Sequence, residues 1–193
     1  MDFLNLKKPK NELTPAVGRI LIAEPFLSDP NFARAVVLLC EHGEEGTVGF
    51  IVNRSTELML DDLLPDLYAS GLNIYQGGPV QMDTLHMMHT TPVELGGNEI
   101  FPGVYWGGSY EALQDMIAAG TYDPAQLRLF VGYSGWSPGQ LEKEVEEGSW
   151  IITDLTPRLL FDTSPENVWK EAIRSLGDEY AYLANLPVNP QLN

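Results

Sequence analysis

The amino-acid sequence predicts an α+β fold in a single compact domain, and three observations lead to this prediction. Short apolar runs bounded by proline, glycine or aspartate fill the first half of the chain, as is typical of β-strands. In the second half, serine residues precede helical stretches that end at glycine. The two patterns mix without strict alternation, which favours α+β over a doubly wound parallel sheet.

Eight strands are predicted along the chain. The second and third are expected to form a hairpin, because their connection from His42 to Gly46 carries glycines where a turn can require positive φ. The predicted strands are Val17–Ala23, Ala35–Glu41, Thr47–Asn53, Leu72–Gln76, Thr84–Thr90, Ile100–Trp106, Leu127–Tyr133 and Trp150–Thr153.

Helices are predicted where start and stop signals coincide. Ser137 opens a capping box, with its hydroxyl at the N-cap, Pro138 at the first helical position and Gln140 at the third. Pro65 interrupts the first candidate helix. The predicted helices are Leu58–Tyr68, Tyr110–Ala119, Pro138–Glu147 and Pro165–Leu176.

The single domain is expected to span residues 14–186. Residues 1–13 are polar, include three lysines and show no apolar period, so we expect a flexible arm there. Residues 187–193 contain two prolines among polar neighbours and are predicted to form a tail. No linker-like stretch or fixed-period repeat divides the part between them.

Composition limits the classes of partner. The chain of 193 residues has 27 acidic and 11 basic side chains, a formal net charge of −16, so direct nucleic-acid binding is not expected. Cys40 is the single cysteine and cannot form an internal disulfide. The apolar runs are far shorter than the ~20 residues of a membrane helix. We therefore expect a cytoplasmic protein that does not cross a membrane.

Cys40 and His42 are the first candidates for chemistry, since residues two apart in a strand point to the same face. A thiol–imidazole nucleophile is possible there, but the apolar run would raise the thiol pKa, which favours a buried, inert cysteine. His86 and His89 would point to opposite faces of a strand. With three histidines and one cysteine in the chain, no metal site and no cofactor are predicted.

Two glycine-rich segments are the strongest candidates for a binding site. Gly77 and Gly78 allow a sharp turn or a close backbone approach, whereas an anion-binding nest is less favoured because Pro79 removes a donor. The segment from Gly132 to Trp136 is predicted to lead from a strand end through a glycine turn into a capped helix. A structural connection is the favoured interpretation, with a ligand site as the alternative. A serine-hydrolase elbow is not predicted, because Trp136 replaces its last glycine.

Several motifs occur in order along the chain and together carry a resemblance. They are Gly18–Pro25, Phe32–Leu39, Gly49–Asn53, Gly77–Val80 followed by Asp83, and Gly132–Trp136 with Pro138–Glu142. On these motifs the chain resembles the YqgE/AlgH family over residues 14 to 176. The resemblance implies a bacterial cytoplasmic α+β protein with flanking helices on a curved, mostly antiparallel sheet. It also implies a regulatory role in exopolysaccharide gene transcription for one branch, and it supplies no catalytic residue.

The leading functional hypothesis is a non-enzymatic module that binds a small ligand or a protein partner, with a possible indirect regulatory role. Its pocket is expected where Asn53, the Gly77–Gly78 turn and the Gly132–Trp136 segment converge. One alternative is a transcriptional regulator that binds DNA, and another is an enzyme that uses Cys40 with His42 or a carboxylate-bound metal. The candidate ligand-binding residues are Asn53, Gly77, Gly78, Asp83, Tyr133, Ser134, Gly135 and Trp136.

Overall fold

Ten β-strands, all joined in one hydrogen-bonded sheet, form the framework of this computed structural model, which describes residues 12–65, 67 and 71–187. Most of the predicted arm and the part of the predicted tail after Pro187 lie outside the described residues. The strands are β1 (Arg19–Ala23), β2 (Val36–Gly43), β3 (Gly46–Ile51), β4 (Ser55–Met59), β5 (Asn73–Gln76), β6 (Val80–His89), β7 (Asn98–Phe101), β8 (Val104–Trp106), β9 (Leu127–Trp136) and β10 (Trp150–Asp154).

Six α-helices and two 3-10 helices, Pro124–Gln126 and Asp178–Asn185, accompany the sheet in the described part of the chain. Ser109 is one of the serines that precede a predicted helix, here Tyr110–Ala119, and it caps that helix as expected: its hydroxyl accepts a hydrogen bond from the Ala112 N–H at 3.1 Å. The α-helices are α1 (Leu60–Leu63), α2 (Pro92–Leu95), α3 (Tyr110–Ala119), α4 (Gln140–Glu146), α5 (Pro157–Phe161) and α6 (Pro165–Ser175).

The sheet follows the order β10-β1-β2-β3-β9-β6-β8-β7, with β5 added beside β9 and β4 beside β5. Its pairs are antiparallel apart from the parallel pair of β5 and β9. The predicted hairpin of the second and third strands is confirmed as β2–β3. The predicted α+β class with a mostly antiparallel sheet is therefore correct.

The sheet is curled into a half-barrel, and we call the face that bears Ile20, Phe50 and Phe130 the inner face and the opposite face the outer face. The inner face buries one apolar cluster that reaches from β1 to β7 and is covered by α5, α6 and the last 3-10 helix. The outer face buries two separate clusters, one under α1, α2 and α3 and the other under α4. The long strand β9 contributes to all three clusters, which makes the described chain a single compact domain.

The predicted glycine turn at Gly132–Trp136 is wrong. Strand β9 continues through Trp136, because its last three residues pair with β3 from Thr47 to Gly49. Gly132 still has a positive φ of 66°, but it lies within the strand, where β9 leaves the pairing with β5 and turns to β3.

The predicted capping box at Ser137 is wrong, because the helix begins three residues after Ser137 rather than directly after it. Helix α4 begins at Gln140, after Gly139 in the left-handed region at φ 75°. The Gln140 side chain does accept a hydrogen bond from the Ser137 N–H at 3.0 Å, but this bond closes a turn before the helix. The positive φ of Gly139 separates that turn from α4.

Two other boundaries differ from prediction. The predicted helix Leu58–Tyr68 is β4 followed by the short α1, and Tyr68 lies outside the described residues. The predicted strand Ile100–Trp106 is the end of β7, a turn and β8.

Candidate functional site

Asn53 acts as a brace for the loop that joins β1 to β2. Its amide nitrogen donates to the Arg34 carbonyl at 2.9 Å, and its side-chain oxygen accepts from the Val36 N–H at 2.8 Å. Arg34 lies at the end of that loop, and Val36 is the first residue of β2. Asn53 therefore fixes the loop rather than presenting its amide to a shared pocket with Gly77.

Gly77 and Gly78 contact β9 through the backbone. A Cβ on Gly78 would lie 2.2 Å from the Tyr133 carbonyl carbon, and one on Gly77 would lie 2.4 Å from the Gly132 oxygen. The Gly77 carbonyl accepts hydrogen bonds from the Ile51 N–H and the buried Ser134 hydroxyl, at 2.8 and 3.0 Å. The expected close backbone approach is confirmed, and main-chain atoms fill the space between these two segments.

The backbone of Tyr133 is part of this contact, whereas its side chain and Asp83 have other surroundings. The Tyr133 ring meets the His86 ring edge-on, at 6.1 Å between centroids, and packs against the inner cluster. Asp83 is exposed on β6, in the irregular stretch between Val80 and Leu85. The structure thus brings Gly77 and Gly78 together with the backbone of Tyr133 and Ser134, while the Asn53 side chain bonds to Arg34 and Val36 and Asp83 is exposed.

Gly135 and Trp136 belong to a different feature, an open cavity of about 230 Å³ on the outer face beside α4. Four segments form it: the β1–β2 loop, the end of β9, α4 and the start of β10. We call it the indole cavity, and its lining residues are Leu27, Asp29, Phe32, Gly135, Trp136, Gln140, Glu144, Ser149 and Trp150.

Three aromatic rings form one wall of the indole cavity. The Phe32 ring stacks on Trp136 with centroids 6.0 Å apart and meets Trp150 edge-on at 5.4 Å. The two indoles are 6.0 Å apart and nearly perpendicular. Trp136 is 5% exposed and Trp150 1% exposed, so both indoles are closely packed, while Phe32 is partly buried.

The Glu144 carboxylate organises the polar side of the indole cavity. Its Oε2 accepts hydrogen bonds from the indole N–H groups of Trp136 and Trp150, at 2.9 and 2.8 Å. Its Oε1 accepts one from the Gln140 amide at 2.9 Å, one helical turn earlier on α4. The side chain is therefore held in one orientation by donors from β9, β10 and its own helix.

Asp29 brings a second carboxylate to the indole cavity. Its Oδ1 accepts a hydrogen bond from the Asn31 N–H at 2.8 Å, which forms an Asx turn in the β1–β2 loop. Arg54 donates to the Asn31 carbonyl at 2.6 Å. Burial lowers the pKa of Arg54 and the nearby Asp29 charge opposes that change, so Arg54 partly balances Asp29.

The chemistry proposed for Cys40 with His42 finds little support in the geometry. Cys40 is buried in the inner cluster, and burial, followed by the charge of Glu41, raises its pKa well above the ordinary thiol value. His42 instead contacts Thr47 Oγ1 at 2.8 Å and Glu142 Oε1 at 3.6 Å. A buried thiol with a raised pKa is a poor nucleophile.

His86 and His89 lie in β6, as predicted for a strand, and have different partners. His86 Nε2 contacts Thr84 Oγ1 at 3.0 Å, and burial lowers its pKa. His89 Nε2 contacts the Gly107 carbonyl at 3.0 Å, while its Nδ1 accepts from the Thr91 N–H. Across residues 12–65, 67 and 71–187, no group of three or more histidine, cysteine or acidic side chains is arranged to hold a metal ion.

The sequence did not predict the cavity residues Phe32, Glu144 and Trp150. Phe32 belongs to a recognised motif, but its sequence neighbours carry no sign of a cavity. Gln140 and Glu144 are four residues apart on a predicted helix, a spacing that places them on one face. That spacing was the available signal for Glu144.

None of the helices in the described part of the chain is both long and apolar enough to cross a membrane.

Relatives of known sequence match nearly the whole chain. UPF0301 proteins of Chlorobaculum tepidum and Cytophaga hutchinsonii are 43% and 41% identical to it over 177 and 178 residues. These alignments cover 91% of this chain in both cases, and 95% and 98% of the two relatives.

Two solved structures share the architecture. A Corynebacterium diphtheriae crystal structure has a TM-score of 0.76 at 21% identity, covering 95% of this chain and 97% of that one, and shows a common fold. The solution structure of AlgH from Pseudomonas aeruginosa has a TM-score of 0.69 at 33% identity, covering 92% and 98%. The AlgH-like family model matches residues 20–181. The resemblance read from the motifs is thereby confirmed, and the chain belongs to the AlgH-like family.

Proposed function

We propose that this chain is a non-enzymatic cytoplasmic module that binds a small ligand in the indole cavity. The observation that carries the proposal is an open cavity of about 230 Å³ with closely packed walls. Three packed rings form one wall, and a carboxylate held by three hydrogen bonds forms another. Concave sites that combine aromatic surface with a few fixed polar groups are typical of ligand binding.

Two of the eight candidate ligand-binding residues, Gly135 and Trp136, line the indole cavity. We give Asn53 a positioning role, because it braces the loop that carries Phe32. Gly77, Gly78 and Ser134 hold β9 against its neighbours, and in our proposal they support the scaffold rather than touch the ligand.

Any regulation of transcription by this chain is, in our proposal, indirect. A net charge of −16 repels the DNA backbone, and binding would have to overcome that repulsion at every phosphate. Regulation through a bound ligand or a protein partner meets no such obstacle. The enzyme alternative is less favoured because the Cys40 thiol is buried with a raised pKa.

A protein partner is the second candidate, and one observation favours it. Leu58 on β4, together with Leu63 and Leu64 at the end of α1, is 38–41% exposed. A contiguous apolar patch on the surface is typical of a protein–protein contact, and in this second proposal the three leucines form one. Capture of a bacterial partner that is lost when Leu58 and Leu63 are changed to serine would support this function.

A thermal-shift screen tests the ligand-binding proposal. The panel contains nucleotides, phosphorylated metabolites, small carboxylates, amines and divalent metals. A ligand present at about 100 times its Kd adds about 2.7 kcal/mol to the free energy of unfolding, which raises Tm. The same compounds are then tested on two variants, Trp136→Phe and Trp106→Phe. The second is the control, because Trp106 does not line the indole cavity.

We expect at least one compound to raise the Tm of the unchanged protein and of Trp106→Phe, with a smaller rise in Trp136→Phe. A rise of the same size in both variants would place the ligand elsewhere. No rise with any compound would contradict the proposal and leave the protein-partner function as the stronger candidate.

A further inference from the structure

The lining of the indole cavity is acidic and aromatic. Asp29 and Glu144 supply two carboxylates, whereas lysine, arginine and histidine do not occur among the lining residues. A ligand inside would therefore meet two carboxylates: Arg54, outside the lining, partly balances Asp29, whereas Glu144 bonds only to neutral donors. The net charge of −16 on the whole chain adds to this potential and raises the local concentration of cations.

Glu144 keeps most of its negative charge uncompensated. Its three hydrogen-bond donors, two indoles and one amide, are all neutral. Among the residues that the structure describes, no ion pair joins Glu144 to a cation, although Lys143 beside it pairs with Glu147 at 3.8 Å. A charged ligand group is the partner that this carboxylate lacks.

Hydrogen-bond donors for an anion are scarce at this wall. Both indole N–H groups are directed at Glu144, and so is the Gln140 amide. Trp150 is 1% and Trp136 5% exposed, so the aromatic surface that a ligand can reach is mainly that of the partly buried Phe32. Aromatic surface next to a carboxylate attracts ammonium groups, because the electron-rich ring face and the carboxylate both favour positive charge.

Size narrows the class of ligand further. A volume of 230 Å³ is below the ~300–1,000 Å³ of sites that enclose drug-sized molecules. Nucleotides and peptides are too large to be enclosed. A compound with only a few heavy atoms fits the space.

We propose that the indole cavity selects a small organic cation that carries an ammonium or methylated ammonium group. This inference rests on the proposed function, since it names the ligand class of the same site. The ammonium group lies against Phe32 and the exposed edge of Trp136, and it pairs with Glu144, which bonds to both indole N–H groups.

Indole N–H signals in ¹⁵N–¹H spectra of the full chain test this proposal. The four tryptophans give separate probes, and Trp106 and Trp169 lie outside the indole cavity and serve as internal controls. The titrants are choline, ethylammonium, the neutral choline isostere 3,3-dimethylbutan-1-ol, acetate and inorganic phosphate, all at equal ionic strength.

We expect choline or ethylammonium to shift the Trp136 and Trp150 signals saturably, while Trp106 and Trp169 stay in place. The neutral isostere should bind the cavity at least about 10-fold more weakly than choline. Equal binding of the isostere, or stronger binding of acetate or phosphate, would overturn the cation class while leaving the proposed function standing. No saturable shift with any titrant would overturn the cation proposal. If the thermal-shift screen were also negative, both proposals would fail.

A matched pair of charge variants adds a second test. Glu144→Gln keeps an acceptor for the indoles but removes the charge, whereas Glu146→Gln makes the same change at an exposed position of α4. Choline affinity should fall at least about 10-fold in Glu144→Gln and stay unchanged in Glu146→Gln. Equal losses in both variants would mean that only the overall charge matters and would overturn the role of Glu144. If Glu144→Gln does not fold, the comparison of choline with its isostere in the unchanged chain decides.

Discussion

Glu144 joins three elements through a single side chain. The carboxylate ties β9 and β10 together through two indoles and orients α4 above them. Such a residue affects stability as well as ligand binding, because the two tryptophans are almost fully buried. Both roles follow from the same hydrogen bonds.

We expect Glu144→Ala to lower the free energy of unfolding by about 2 kcal/mol, because two buried indole N–H groups lose their common acceptor. Urea unfolding followed by circular dichroism measures this change. Glu146→Ala is the control on the same helix and should change stability by less than about 0.5 kcal/mol. Equal stability of the two variants would show that the Glu144 hydrogen bonds contribute nothing to folding.

His89 should make folding sensitive to acid. Burial lowers its pKa below the ordinary value of 6.5, and the hydrogen bond to the Gly107 carbonyl opposes this only in part. The folded protein therefore binds a proton less readily than the unfolded chain. The stabilising contribution is fully present above about pH 6.5 and decreases as the pH falls below it. The lowered pKa of His86 acts in the same direction.

Proton NMR of the two imidazoles from pH 8 to pH 4.5 measures these pKa values directly. We expect His86 and His89 both to titrate below 6.5, and the free energy of unfolding to decrease over the same interval as the pH is lowered. A His89 pKa above 6.5 would contradict the prediction, since the folded protein would then gain stability from protonation.

At the scale of elements, Gly77 and Gly78 lie against β9, and a side chain at Gly78 would not fit there. A Cβ on Gly78 would lie 2.2 Å from both the carbon and the oxygen of the Tyr133 carbonyl, and backbone cannot move aside as a side chain can. Gly43, near the end of the β2–β3 hairpin, has no atom within 4 Å of its Cβ position. The two glycines form a matched pair for substitution.

We expect Gly78→Ala to destabilise the fold by about 3 kcal/mol, because β9 and its neighbour would have to separate. Gly43→Ala should change stability by no more than about 0.5 kcal/mol. Denaturant midpoints of the two variants, measured side by side, test the difference. Similar midpoints for the two variants would mean that the backbones of Gly78 and Tyr133 leave room for a methyl group.

Local signals predicted those elements whose ends are set by neighbouring residues. The serine cap and the final glycine of α3 lie within one turn of the helix, so the sequence pattern contains them. Strand β9 is different, because its last residues are extended only through pairing with β3, more than 80 residues earlier in the chain. Glycines at that point resemble a turn until the partner strand is known.

At the scale of the whole molecule, the indole cavity could not be derived from the sequence. Its lining comes from four segments, and Asp29 and Trp150 meet only because β1 pairs with β10. Trp136 was a candidate because of its local pattern of glycine and aromatic residues. Glu144 was missed, since nothing local shows that it faces two indoles.

Strand β9 also decides how the molecule unfolds. It pairs with β3 at one end and with β5 and β6 at the other, and its side chains enter the inner cluster and both outer clusters. Neither half of the sheet can keep its core after β9 is removed. The two halves are therefore expected to unfold together rather than one after the other.

Equilibrium unfolding in urea tests this expectation with two probes. Tryptophan fluorescence reports mainly on the β10 side of the sheet and α6, where Trp136, Trp150 and Trp169 are buried, whereas far-UV circular dichroism reports on all elements. We expect the fluorescence and dichroism transitions to coincide. In Gly78→Ala both midpoints should move to the same lower urea concentration, because the added methyl group would push against β9. Fluorescence and dichroism midpoints that separate, in either protein, would show that one half of the sheet folds without the other.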